Sequence, residues 1–144
     1  MTKIDFSSAL FFLAILLTIA SMETAGILKD LALWMDAHFS GKEIIVAVLG
    51  LISSVIDNVP LTAATMGMYD LSIYPPDSKI WMMLTYAVGT GGSLLIIGSA
   101  AGVVVMGMEK ISFISYIKRI SLPVLVGYGV GFVCFLIIYR LSIA

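Results

Sequence analysis

Asp57 and Asn58 stand in the middle of a stretch, Ile44–Tyr69, that carries no other charged residue. An ionisable group inside hydrocarbon costs at least about 2.5–3.5 kcal/mol at the bilayer centre, so its presence there points to function. Loss of water favours the neutral form of a carboxylic acid, and the ionised form is a hard oxygen ligand for small hard cations. A proton and a sodium ion would then compete for one group. The alternative is a solvated loop that merely joins two helices. Ser53 lies one turn before Asp57 on the same helical face, beside Ser54. Asn58 is suited to cap a following half-helix, with Pro60 in its first turn where a missing N–H does no harm. Thr62 and Thr65 offer hydroxyls that either coordinate a cation or bond back to their own helix.

A second cluster follows at Gly89-Thr90-Gly91-Gly92-Ser93. Three glycines in five residues argue for unwound backbone. Carbonyls freed by unwinding are cation ligands in discontinuous transporter helices, and Thr90 and Ser93 add hydroxyl oxygens. Close helix packing through small residues, continued at Gly98, Ser99 and Gly102, explains the same pattern. Glu23, beside Ser21 and Thr24, is either an interfacial residue opening the next helix or a carboxylate of a proton path. His38 reads as an interfacial loop residue, and the nine methionines read as packing. One buried aspartate without a second acid, base or metal partner does not make a hydrolase, so an enzyme is not expected.

The elements that must position these groups belong in a membrane. Of 144 residues, 60% are hydrophobic and 12% charged, against about 45–50% and about 25% in a soluble domain; the mean hydropathy is +1.10. Eight Lys/Arg against nine Asp/Glu, with no basic run, exclude a nucleic-acid partner. The single cysteine, Cys134, excludes an internal disulfide. Asp5 cancels the charge of Lys3 and no small-residue cleavage site follows, so the first apolar run is read as a span rather than a signal peptide.

The expected architecture is all-α and integral to the membrane. Three transmembrane helices are expected at residues 6–22, 80–108 (discontinuous) and 120–139. A helical hairpin is expected at 44–69, and short interfacial helices at 24–38 and 109–119. In the first interfacial helix Ile27, Leu28, Leu31, Trp34 and Met35 recur at helical spacing. Each arm of Ile44–Tyr69 is too short to cross about 30 Å of hydrocarbon. The stretch is therefore one kinked helix or a re-entrant hairpin, and periodicity does not separate the two. Pro75-Pro76 ends the segment. Positive charge is shared four against four between the two sides, so orientation is undecided, and no internal repeat is visible.

The run Leu51–Met66 (LISSVIDNVPLTAATM) resembles the C-terminal hairpin motif of the NhaD family of sodium/proton antiporters. Gly89–Ile111 (GTGGSLLIIGSAAGVVVMGMEKI) is similar to the unwound helix that follows it there, and Phe6–Leu28 is similar as well. The resemblance implies one half, the C-terminal repeat, of a transporter built from two inverted repeats. It makes Ile44–Tyr69 a re-entrant hairpin and Asp57, Asn58, Ser53, Thr90 and Ser93 its cation and proton site; Thr62 and Glu23 remain lesser candidates from their own chemistry. It implies no cofactor, with Na+ and H+ (and Li+) as transported ions. It also implies a bacterial inner membrane, a homodimer of the full transporter, and a first repeat carried outside this chain. A non-transporting assembly subunit and an anion transporter of the same superfamily are the alternatives; Asp57 at the tip disfavours anions.

Overall fold

The computed structural model describes residues 6–143 and is all-helical, with no strand among the described residues. Its elements are α1 (Phe6–Thr24), α2 (Ile27–His38), α3 (Lys42–Ile52), α4 (Asn58–Met68), α5 (Lys79–Gly91) and α6 (Ala100–Met108). A final continuous helix comprises α7 (Phe113–Tyr116), a π turn (Ile117–Ser121) and α8 (Leu122–Ile143). By length and composition, Phe113–Ser142 is a helix long and apolar enough to cross a membrane, the one such helix among the described residues. The separate interfacial helix expected at 109–119 is therefore replaced by a turn at 109–112 and the start of this long helix. Pro123 accounts for the π turn, since it has no N–H for the preceding turn and its ring crowds that turn's carbonyl.

Gly26, at φ 77°, makes the left-handed turn between α1 and α2 that other residues adopt at a cost. The amphipathic pattern of α2 resolves into a narrower buried stripe than expected. Leu28, Ala32 and Met35, at i, i+4 and i+7, are buried, whereas Ile27, Leu31 and Trp34 stay exposed. Leu31 and Trp34 instead help line an apolar cavity of about 410 Å³ between α2, α3 and α4.

α3 buries Ile45, Val46 and Leu49 against Ile80, Met83, Leu84, Ala87 and Val88 of α5. That interface is the centre of the core. Tyr128 of α8 closes it by donating from its hydroxyl to the Ala47 carbonyl (2.7 Å), and Tyr86 donates to the Tyr128 carbonyl (3.1 Å). α4 packs mainly on α1 and α2, with a smaller contact to α5.

The segment 42–69 turns back on itself. The Lys42 ammonium at the start of α3 sits 4.1 Å from the centroid of the Tyr69 ring, just past the end of α4. The chain thus returns to the end it left, and α3 and α4 are the arms of a helical hairpin rather than one kinked rod. Lys42 also pairs with Asp36 at the end of α2 (2.6 Å), and Glu43 with Lys79 at the start of α5 (2.7 Å). These pairs tie the base of the hairpin to its neighbours, at the end opposite the tip.

Candidate functional site

The hairpin tip is built by the failure of α3 to continue. Ser53 N–H still reaches the Leu49 carbonyl, after which Ser54 bonds Leu51 and both Val55 and Ile56 bond Ile52 in tightened turns. α4 then restarts at Asn58, because Pro60 is tolerated only in a first turn. Its cap is Asp57, whose Oδ1 accepts the Val59 amide (3.0 Å). Asn58, the expected cap, is instead the first helical residue. Asp57 and Asn58 are both half-buried. With one carboxylate oxygen engaged by backbone, Asp57 has the other left for a ligand, and its negative charge sits on the positive end of α4.

The second break begins later than the glycine cluster suggests. α5 remains helical through Gly89, Thr90 and Gly91, and the chain leaves the helix at Gly92. It continues through a single 3-10 turn, Ile96–Gly98, before Ser99 caps α6 by accepting the Gly102 amide (3.1 Å). Thr90 donates back to the Tyr86 carbonyl of its own helix. The Ser93 side chain is exposed, although its carbonyl accepts the Tyr116 hydroxyl (2.7 Å).

The two breaks meet. Ser53 is fully buried, and its hydroxyl donates to the Val88 carbonyl of α5 (2.9 Å). Gly91 lies against the Gly50 carbonyl, so close that neither backbone could retreat behind a side chain. Gly98 is more telling. The point where its Cβ would stand is 2.6 Å from the carbonyl oxygens of Ser53, Ser54 and Gly92 alike. Two of those oxygens come from the hairpin tip and one from the start of the second break. No backbone N–H or hydroxyl among the described residues donates to any of the three. Among the described residues, no group of three or more His, Cys, Asp or Glu side chains could hold a metal ion. The oxygen atoms shown at this junction are those of backbone carbonyls and the Ser53 hydroxyl, with Asp57 four residues further along the tip.

The remaining candidates lie elsewhere. Thr62 is half-buried on α4, and Thr65 bonds back to the Leu61 carbonyl (2.8 Å). Glu23 is exposed at the far end of α4, its carboxyl 3.5 Å from where a Gly67 side chain would begin. It lines a cavity of about 640 Å³ of mixed polar and apolar walls with Asp36, Lys42, Tyr69 and Asp70, at the hairpin base and away from the tip. Sequence reasoning missed the Ser53 and Ser54 carbonyls at the tip, and Tyr116 and Ser121 as partners of the break. Ser121 donates to the Leu94 carbonyl (2.6 Å). The one sequence signal for that contact was Pro123, which distorts the helix just beyond it.

No protein-family model matches this chain, and no solved structure does. Curated relatives are found. Sodium/proton antiporter 1 of Arabidopsis thaliana is 48% identical over 141 residues, covering 98% of this chain and 24% of the relative. Sodium/proton antiporter 2 of the same plant is 48% identical over 140 residues, covering 97% and 33%. The Na(+)/H(+) antiporter NhaD of Halomonas elongata is 36% identical over 110 residues, covering 74% and 20%. The chain thus spans a quarter to a third of the length of the two plant relatives. Such relatives make it a membrane protein, and since they come from a plant as well as bacteria they do not single out a bacterial membrane. In sequence the chain belongs with the NhaD family of sodium/proton antiporters and corresponds to part of the length of its members.

Proposed function

We propose that this chain supplies the C-terminal half of an ion path that exchanges sodium ions for protons. The cation is held where the hairpin tip meets the second helix break, and Asp57 is the acid at which proton and cation compete. The observation that carries this reading is the Asp57 carboxylate on the positive end of α4, at a hairpin tip that docks through the Ser53 hydroxyl on α5 just before the second break. Carbonyl oxygens are negative dipole ends: they attract a hard cation and repel an anion. The positive end of α4, which an anion carrier would offer to its substrate, already holds the Asp57 carboxylate. Both features favour the cation over the anion alternative.

Element lengths fit a bilayer. Each hairpin arm has 11 residues, about 16 Å of helix and half of a hydrocarbon core. The 13 residues of α5 and 9 of α6 together give about 33 Å. α3–α4 then enters and leaves on one face, and α5–α6 crosses with its break near the middle. Buried irregular backbone is tolerated at that depth where protein or water surrounds it. A hard cation takes several fixed oxygens, more than Asp57 alone supplies, so the remainder comes from a first repeat carried elsewhere, and the assembled transporter is a homodimer. Lithium, smaller and harder, shares the site. Asn58 completes the tip, while Thr90, Ser93, Thr62 and Glu23 stand outside the carbonyl cluster and contribute less.

The test is Asp57→Asn in the full-length antiporter that carries this segment, with pH-gradient-driven sodium movement followed in everted vesicles. Loss of exchange with normal membrane insertion is expected. Undiminished exchange overturns the assignment.

A further inference from the structure

The carbonyls at the two breaks fall into two sets. Those of Ser53 and Ser54 at the hairpin tip and of Gly92 at the second break close around Gly98, each 2.6 Å from where its Cβ would stand. Those of the next two residues, Ser93 and Leu94, are each taken by a hydroxyl from the last helix: Tyr116 at 2.7 Å and Ser121 at 2.6 Å. One donor, Tyr116, precedes the π turn Ile117–Ser121 and the other, Ser121, ends it; the extra residue per turn sets the spacing at which both reach consecutive carbonyls. Ser121 also lines a cavity of about 390 Å³ together with Ser54, Leu94, Leu95 and Ile117, so it faces the hairpin tip as well as the break.

We infer that Tyr116 and Ser121 are positioning residues for the cation site, an inference that rests on the reading of the junction just given. The segment 92–99, outside any α-helix, has several ways to direct its carbonyls. Fixing Ser93 and Leu94 toward the last helix removes them as competing ligands and holds Gly92 and Gly98 packed against Ser53 and Ser54 of the tip that carries Asp57. The π turn is then the local distortion that brings the latch into register, with Pro123 as its cause. Neither hydroxyl touches the cation; each acts through the backbone.

The experiment uses the full-length protein as wild type, Tyr116→Phe, Ser121→Ala, the double variant, and Ser121→Thr, which keeps the hydroxyl. Backbone hydrogen exchange over residues 92–99 reads the latch itself. The apparent KM for sodium and the sodium-to-lithium preference read the positioning. The expected result is faster exchange over 92–99 in Tyr116→Phe and Ser121→Ala, with KM for sodium raised about fivefold per hydroxyl, the factor one neutral hydrogen bond commands. The lithium preference should shift, kcat should change less than KM, and Ser121→Thr should restore both readouts. Unchanged hydrogen exchange in the double variant overturns the latch. Faster hydrogen exchange with KM and ion preference unchanged reduces the hydroxyls to a structural role and overturns the positioning. A wild-type protein that moves no sodium overturns the functional reading and the positioning role with it, while hydrogen exchange still decides the latch.

Discussion

Gly98 and Gly89 belong to the same glycine-rich run and make opposite predictions. A Cβ on Gly98 would stand 2.6 Å from the carbonyl oxygens of Ser53, Ser54 and Gly92, and real Cβ atoms essentially never come under 3.0 Å. Each oxygen must therefore retreat by some 0.4 Å or more. All three are backbone atoms held in two separate breaks, so no rotamer change relieves the crowding and the junction itself has to open. Overpacking of this kind costs about 1–3 kcal/mol, and with three rigid partners Gly98→Ala belongs at the upper end. Gly89 is exposed, helical, and has nothing within 4 Å of where its Cβ would be. Gly89→Ala removes only the entropy penalty of a mid-helix glycine and should stabilise by about 0.5–1 kcal/mol. The assay is thermal unfolding of the purified full-length protein in detergent, with and without sodium. Gly98→Ala should melt well below wild type and lose its sodium-dependent shift; Gly89→Ala should melt at or above wild type and keep it. The reverse order, Gly89→Ala damaging and Gly98→Ala harmless, would place the unwinding at the glycine cluster and refute the junction described above.

Three further outcomes follow from individual contacts. Ser53→Ala removes a fully buried hydroxyl whose acceptor, the Val88 carbonyl, keeps the Gly92 amide; a loss of about 1 kcal/mol in unfolding experiments is expected, and none at all would mean that the tip is not docked on α5. Tyr128→Phe frees the Ala47 carbonyl contact and should cost a similar amount, with the loosening seen as faster hydrogen exchange in α3. The Lys79 ammonium, hydrogen-bonded to Glu43, holds that carboxyl below its ordinary value of 4.5. A lowered folded-state value means the pair's contribution is complete above that ordinary value and fades as pH falls through the lower one. Because Glu43 is well exposed, the contribution is at most about 1 kcal/mol. Wild type and Glu43→Gln should therefore differ slightly in melting temperature near pH 6 and converge near pH 3; a gap that widens on acidification contradicts the ion pair.

Much of this protein is dictated locally. An apolar fraction of 60% with 12% charge specifies a membrane before any residue is placed. Pro60 and a capping side chain specify that a helix restarts near residue 58, and Pro75-Pro76 ends the segment. Those features act through a few neighbouring residues, so they can be read along the chain. Other decisions belong to the tertiary structure. The hairpin became distinguishable from a kinked rod only when Lys42 was seen against Tyr69. The second break fell at Gly92 rather than Gly89 because α5, packed on α3 through Gly91 and Gly50, keeps its helical hydrogen bonds to that point. Glycine content marks where unwinding is cheap, and packing selects where it happens. Above all, the candidate ligands are mostly carbonyl oxygens, which every residue carries alike. Side-chain types could name Ser53 and Asp57, but which carbonyls are left without a donor depends on where the helices stop and on what Tyr116 and Ser121 reach from more than twenty residues away.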